Sequence, residues 1–424
     1  MNEPLQSLRA LSCADDYDPD SMPVEKARAL IARFLSPVTA RERAPVRSAL
    51  GRVLAEDVIS PINVPAHDNS AMDGYALRYA DLVPDAETVL TLAGTVFAGT
   101  PYRAALRPGE CVRIMTGGVI PAGADTIVMQ EHTRTEGERV VIGPGHKKGQ
   151  NLRRAGEDLA AGQVALRRGQ PLRPAEIGLI ASLGIGEVSI YRRLRVAFFS
   201  TGDELVSIGM QPKEGQIFDS NRYTLYGMLA RLGCELIDMG VVRDQPPLLE
   251  RAFREAADCA DVVITSGGVS VGEADFVKEL LNRLGEVVFW KIAMKPGRPL
   301  AYGRIGRAHF FGLPGNPVSV MVTFYQFVRD ALLRLSGIDP VAPLPTFKVP
   351  CTSALKKAPG RTEFQRGVLE RDTHGNWTVR VTGDQGSGIL RSMSEANCFI
   401  ILPTEQGNVV PGTLVDVQVL EGIV

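Results

Sequence analysis

The chain has 424 residues, enough for roughly two to four domains, and its 45% hydrophobic and 22% charged residues describe an ordinary globular composition. A formal net charge of −1 excludes a global field that would draw it to nucleic acid or an anionic membrane, so any anion site must be made locally. No run of about 18 apolar residues is present and the amino-terminal stretch is acidic; the six cysteines (Cys13, Cys111, Cys234, Cys259, Cys351, Cys398) have no CxxC spacing and no neighbouring His. This predicts reduced, mostly buried thiols in a cytoplasmic protein that binds neither nucleic acid nor membrane.

In chain order, residues 1–21 carry Asp15, Asp16, Asp18 and Asp20 and read as a mobile acidic tail. After Ser21, Pro23 in a first turn and Val24, Ala27, Leu30, Ile31 and Phe34 at helical spacing predict an amphipathic helix. From about 61 to 154, Gly, Pro and Asp punctuate short apolar runs such as Thr88–Leu92 and Asp125–Met129, the pattern of a β-rich domain. Residues 155–193 are mixed, and AEIGLIASLG at 175–184 reads as a helix ended by Gly184. This stretch is expected to pack against the first helix, which makes the β-rich segment an insertion.

The middle third alternates. Strands are predicted at Leu194–Ser200, Glu235–Val242, Asp261–Thr265, Val287–Met294 and His309–Leu313. Helices are predicted at Asn221–Leu232, Pro247–Ala257 and Ala274–Leu284, with another from about Val318. Strands and helices in this rhythm build a mostly parallel sheet covered on both faces, an αβα domain. After about residue 343 the helical period stops. EFQRGVLE (363–370), WTVRV (377–381), CFIIL (398–402) and LVDVQVL (414–420) predict a small β-barrel-like domain.

In parallel sheets of this kind ligands bind beyond the carboxyl ends of the strands. Five unusual sequences fall at that edge: STGDE (200–204), VRD (242–244), TSGGVS (265–270), KPGRP (295–299) and GLPGNP (312–317). TSGGVSVGEADF (265–276) places Ser266, Gly267, Gly268 and Ser270 between a buried strand and a helix start. Exposed backbone N–H groups and the helix N-terminus there favour an anion. Glu204, Asp219, Asp244 and Asp275 would repel one another and a phosphate unless a divalent cation joins them. Lys291, Lys295 and Arg298 supply the basic side. GLPGNP, with two prolines and two glycines, is a rigid wall. Taken singly, Glu204 and Asp275 could be helix caps and Lys291 and Lys295 solvated; their shared edge argues for a site. DNSAMDGYA (68–76) follows the extended PINVPAH, with RIMTGG (113–118) and NLRRAGED (151–158) near it in sequence.

DNSAMDGYA, RIMTGG, NLRRAGED, FSTGDEL, DSNR, SGGVSVGEADF, KPGRP, GLPGNPVS, FQRGVL and QGSG occur in this order, and with them residues 21 to 424 resemble the MoeA family of molybdopterin molybdenumtransferases, relatives of the gephyrin E domain. The resemblance implies a multidomain α/β and β protein. Its four parts are an elongated α+β domain (22–60 with 155–193), an inserted β-rich domain (61–154), a central αβα domain with a mostly parallel sheet (194–342) that binds the molybdopterin nucleotide, and a C-terminal small β-barrel-like domain (343–424), with only the acidic tail (1–21) outside the resemblance. It also implies a homodimer that inserts molybdenum from molybdate into adenylyl-molybdopterin, with Mg²⁺ and release of AMP. Pathway proteins such as molybdopterin adenylyltransferase are implied as partners. Glu204, Asp244 and Asp275 match the family's acidic, metal-associated positions; Lys291, Lys295, Pro314 and Pro317 match its pocket. Asp73, Thr116, Arg153 and Asp158 match positions that face the partner subunit's cleft. Arg366, an implied oxyanion contact, and Ser387 match the C-terminal contribution. Arg298 stands where some relatives have Lys, which keeps the charge and changes the donor geometry.

Three rival readings are weaker. The adenylylating enzyme of the preceding step typically carries TGGTG where this chain has SGGVS, and it stands alone without flanking domains. A gephyrin-like scaffold would bring a long linker and a second αβα domain. A generic phosphotransferase of the Walker type would need GxxxxGK[ST], which is absent.

Overall fold

The structure, a computed structural model, describes residues 21–268 and 275–420, apart from the side chains of residues 275, 276 and 289. The acidic run 15–20 and the sequence 269–274, with Ser270 and Glu273, lie outside the described residues.

At the centre is a six-stranded sheet in the order Glu235–Val242, Arg195–Thr201, Val262–Ser266, Ala308–Leu313, Pro299–Ile305, Gly285–Lys291. The first four strands are parallel and the last two pair antiparallel. Successive side chains of a strand face opposite sides. Val196, Phe198, Val262, Ile264, Phe311 and Leu313 therefore enter one core, shared with the helix Ser220–Arg231 and the helix that begins at Pro317. Ala197, Phe199, Val263 and Phe310 enter the other, under the helices Pro246–Cys259 and Asp275–Leu284. Burial on both faces is why these strands read as unbroken apolar runs. Pro299–Ile305 is a strand the sequence reading missed: Gly303 and Arg304 interrupt its apolar run, and a Cβ on Gly303 would collide with the Glu286 carbonyl.

The expectation that residues 155–193 pack against the first helix is corrected. Helix Val24–Arg33 buries Val24, Ala27 and Ile31 in the central core beside Phe324, Phe327 and Val328. Its apolar face is occupied by this aromatic stretch of the long helix. Helix Pro174–Ser182 instead packs Ile180 with Ala44, Val46, Ala49 and Leu54. The strands Arg41–Pro45 and Val58–Ile59 pair with Glu187–Tyr191 and Val164–Leu166. Between these halves sits a six-stranded sheet ordered Thr126–Met129, Gly74–Leu77, Glu110–Ile114, Thr88–Val96, Arg139–Ile142, Thr133–Glu136, the inserted β-rich part.

The C-terminal sheet runs Met294–Lys295, Thr362–Arg371, Cys398–Leu402, Leu414–Val419, Thr346–Pro350, with Trp377–Val381 on Thr362–Arg371. Its first strand comes from the central part of the chain, and Phe364 and Phe399 reach into the central core. The C-terminal sheet is thereby fastened to the carboxyl edge of the central one. Among the described residues five cysteines are free, and no helix is long and apolar enough to cross a membrane.

Candidate functional site

The five unusual strand-end sequences meet. Thr201–Leu205, Asp244, Ser266–Gly268, Lys295–Pro299 and Pro314–Pro317 line one cleft with a volume of about 960 Å³, and Gln385, Gly386 and Ser387 of the C-terminal part form its far wall. Of the residues singled out in the sequence, Glu204, Asp244, Ser266, Gly267, Gly268, Lys295, Pro314, Pro317 and Ser387 line it. Asp275 opens the helix Asp275–Leu284, and its side chain, like all of Ser270, lies outside the described residues.

The floor is a buried polar network. Asp219 caps the helix Ser220–Arg231 by accepting from Arg222 N at 3.2 Å, and accepts the Ser200 hydroxyl at 2.9 Å. Asn221 Nδ2 donates to Ser266 Oγ at 2.8 Å and to the Gly315 carbonyl at 2.6 Å. Ser266 Oγ in turn donates to the Pro314 carbonyl at 3.3 Å. Asn221 thus ties the SGG turn to the GLPGNP loop, which fixes two walls of the cleft in one geometry. Both glycines of the turn have left-handed backbone, φ +92° at Gly267 and +67° at Gly268, and the Gly267 N–H donates to the Leu313 carbonyl at 3.1 Å. A Cβ on Gly267 would lie 2.5 Å from the Thr201 carbonyl oxygen, so only glycine fits.

The carboxylate of Glu204 folds over the STG turn, 2.6 Å from where a Cβ on Gly202 would be. With Asp244 it gives the cleft an oxygen-only donor set, the chemistry that suits Mg²⁺ rather than a softer metal. Among the described residues no three His, Cys, Asp or Glu side chains are grouped so as to hold a metal ion. Opposite, Lys295 and Arg298 line the cleft. Lys295 Nζ lies 3.5 Å from the buried Glu363 carboxylate. Lys291 ends the edge strand outside the cleft lining, where its carbonyl accepts from Met22 N at 2.7 Å.

Arg366 sits behind the cleft wall, only 1% exposed. Its guanidinium donates to the carbonyls of Gln385 (3.1 Å), Asp384 (3.3 Å) and Gly386 (3.0 Å), and its Nε to Ser392 Oγ at 2.9 Å. Burial lowers its pKa to about 10, still protonated at neutral pH. The Ser387 carbonyl accepts from Val318 N at 3.2 Å, joining the same loop to the helix after GLPGNP.

The remaining candidates form a second cluster. Asp73 Oδ1 accepts from both Thr116 N and Thr116 Oγ1 at 2.7 Å, and these two bonds hold its pKa below the ordinary carboxylate range. Arg153 pairs with Asn69 in a two-residue ladder, Ala71 N donates to the Asn151 carbonyl at 2.9 Å, and Ala155 N donates to Asp68 Oδ1 at 2.8 Å. Asp158 N donates to the Val64 carbonyl at 3.1 Å. DNSAMDGYA, RIMTGG and NLRRAGED are therefore neighbours in space as well as in sequence. Gly74 begins the second strand of its sheet, between Thr126–Met129 and Glu110–Ile114, and a Cβ there would collide with the Val128 carbonyl.

Sequence reasoning missed three contributors to the cleft: the tie made by Asn221, the Glu363 partner of Lys295 and the Gln385–Gly386 wall. The signals existed only as parts of the DSNR, EFQRGVLE and QGSG strings.

Three family models match in succession: the MoeA N-terminal region (domains I and II) at residues 22–184, a probable molybdopterin binding domain at 197–334 and the MoeA C-terminal region (domain IV) at 348–420. A molybdopterin molybdenumtransferase of Haemophilus influenzae is 46% identical over 396 residues, covering 93% of this chain and 98% of that protein. A gephyrin of Dictyostelium discoideum is 34% identical over 88% of this chain and 58% of its own length. The crystal structure of a molybdopterin biosynthesis moeA protein from Pyrococcus horikoshii superposes with a TM-score of 0.82 at 29% identity, covering 94% of this chain and all of that one (100%).

Proposed function

The chain belongs to the MoeA family of transferases, and from that membership and its cleft we propose that it is a cytoplasmic molybdopterin molybdenumtransferase. It inserts molybdenum from molybdate into adenylyl-molybdopterin and releases AMP in an Mg²⁺-dependent step. The observation that carries this reading is the convergence of five strand-end turns and one C-terminal loop on a single cleft of about 960 Å³, acidic on one side and basic on the other. Such a cleft suits an anionic nucleotide ester and a small oxyanion together.

In this reading Gly267 and Gly268 bring bare backbone against the pyrophosphate, as the glycines of phosphate-binding turns do. Glu204 and Asp275 hold Mg²⁺ or its waters, and Asp244 with Ser270 positions the ligand. Mg²⁺, when bound, neutralises charge on the phosphoanhydride as it breaks. Lys295, with Lys291 near the same edge, offsets the negative charge of molybdate and phosphate. Pro314 and Pro317 keep the wall rigid. Arg366 carries its positive charge into the loop Asp384–Gly386 and sets the position of Ser387, so its contribution is to hold the wall in place. The protein works as a homodimer, in which Asp73, Thr116, Arg153 and Asp158 of one copy face the cleft of the other.

The test is AMP release from adenylyl-molybdopterin by the purified protein, with and without molybdate and Mg²⁺. Release that needs both, with a product that activates an apo-molybdoenzyme, is the expected result. Tight binding without release under all conditions would refute the transferase reading.

A further inference from the structure

Three polar atoms of cleft-lining side chains are buried without a hydrogen-bond partner: Thr201 Oγ1, Asp219 Oδ2 and Asn221 Oδ1. Two of them belong to groups already engaged in the floor network, and neither has a proton to offer an anion. Thr201 differs. It is the last residue of the strand Arg195–Thr201, 6% exposed, and its hydroxyl is the single orphan donor in the cleft lining among the described residues. A buried hydroxyl left unpaired is costly, so such a group calls for a partner.

The hydroxyl faces the phosphate-type turn. A Cβ on Gly268 would lie 2.8 Å from Thr201 Oγ1, and one on Gly267 would lie 3.1 Å from it. The two glycines therefore leave a side-chain-free space in front of this hydroxyl, and keep it there by a backbone that only glycine adopts readily, with φ of +92° and +67°. We propose that Thr201 is a phosphate-binding residue whose hydroxyl donates to a phosphoryl oxygen of the ligand lodged against Gly267 and Gly268. The inference rests on the reading of the cleft as a nucleotide-ester site and adds to it a neutral donor opposite the turn.

Thr201→Val keeps the shape and removes the hydroxyl; Thr201→Ala removes it with a different shape; Thr201→Ser retains it. The full-length proteins are titrated with AMP in the presence of Mg²⁺ by calorimetry, and their thermal unfolding is followed without ligand. Both hydroxyl-free variants are expected to bind AMP roughly ten- to a hundredfold more weakly, the range for a hydrogen bond to a charged group. Thr201→Ser should stay within about threefold of wild type, since the donor remains. The free Thr201→Val protein should melt at or above the wild-type temperature, because no bond is lost and an unpaired hydroxyl is replaced by a methyl. Wild-type affinity in both hydroxyl-free variants would overturn the assignment and leave the nucleotide site standing. Equal weakening in all three variants, with lowered melting, would make Thr201 a packing residue and overturn it as well. If the wild-type protein itself fails to bind AMP, the nucleotide reading of the cleft falls, and this inference with it.

Discussion

The strand-end cleft and the cluster made by residues 68–76, 113–118 and 151–158 are both rich in motif residues, yet they are built in opposite ways. The cleft is concave and rests on buried polar side chains, with Asp219 1% and Ser266 2% exposed. Its floor is held by hydrogen bonds that run between turns far apart in sequence, as from Asn221 to Gly315. The cluster is a surface feature. Its hydrogen bonds satisfy its own loops, and the Asp73 carboxylate lies open to solvent with one oxygen engaged by Thr116. A cleft of this kind encloses a ligand by itself, whereas a surface of this kind can act on a ligand only when something carrying the ligand is brought to it. That difference is what the proposed dimer resolves, by setting the cluster of one copy over the cleft of the other.

The sharpest way to break the contrast is Gly267→Ala. The cleft depends on a left-handed backbone at this position and on the absence of a Cβ beside the Thr201 carbonyl. Strain of this kind is worth about 1–3 kcal/mol, and displacement of the turn adds to it. AMP binding measured by calorimetry should weaken by roughly a hundredfold or more. An affinity equal to wild type would mean that the turn does not shape the site.

A smaller effect is expected at the cleft's far wall. Arg366→Met removes the donors that hold three consecutive carbonyls, Asp384 to Gly386. Denaturant unfolding should report a loss of about 2–4 kcal/mol for buried carbonyls left unpaired. The KM for adenylyl-molybdopterin should rise more than kcat falls, because the wall is displaced while the acidic side is untouched. A fall in kcat alone with unchanged stability would restore Arg366 as a group that touches the reacting oxyanion.

Sequence and structure agree best where period and burial coincide. The strands Arg195–Thr201 and Val262–Ser266 are buried on both faces, so their apolar runs are unmistakable in the sequence, and the turns at their carboxyl ends line the cleft. Pro299–Ile305 and Thr346–Pro350 were not legible, since Gly303, Arg304 and Lys348 break the apolar pattern of strands that are set by pairing with neighbours. The partner of the first helix was also beyond local pattern: Val24, Ala27 and Ile31 declare an apolar face but not which surface will cover it. Charge and glycine spacing single out Glu204, Lys295 and Gly267, and all three line the cleft. The oxyanion contact that the family resemblance implies for Arg366 has no counterpart in the structure, which turns this cation inward onto carbonyls.

The most direct test of the two-region account mixes two inactive proteins. Asp73→Asn disables the cluster and leaves the cleft intact; Glu204→Gln disables the cleft and leaves the cluster. After subunit exchange, confirmed by native mass spectrometry of the mixed dimer, molybdate- and Mg²⁺-dependent AMP release is measured. If the cluster of one copy completes the cleft of the other, half of the dimers are mixed and each holds one intact site, so activity should return to about one quarter of wild type. Mixed dimers that form and remain inactive would contradict the account.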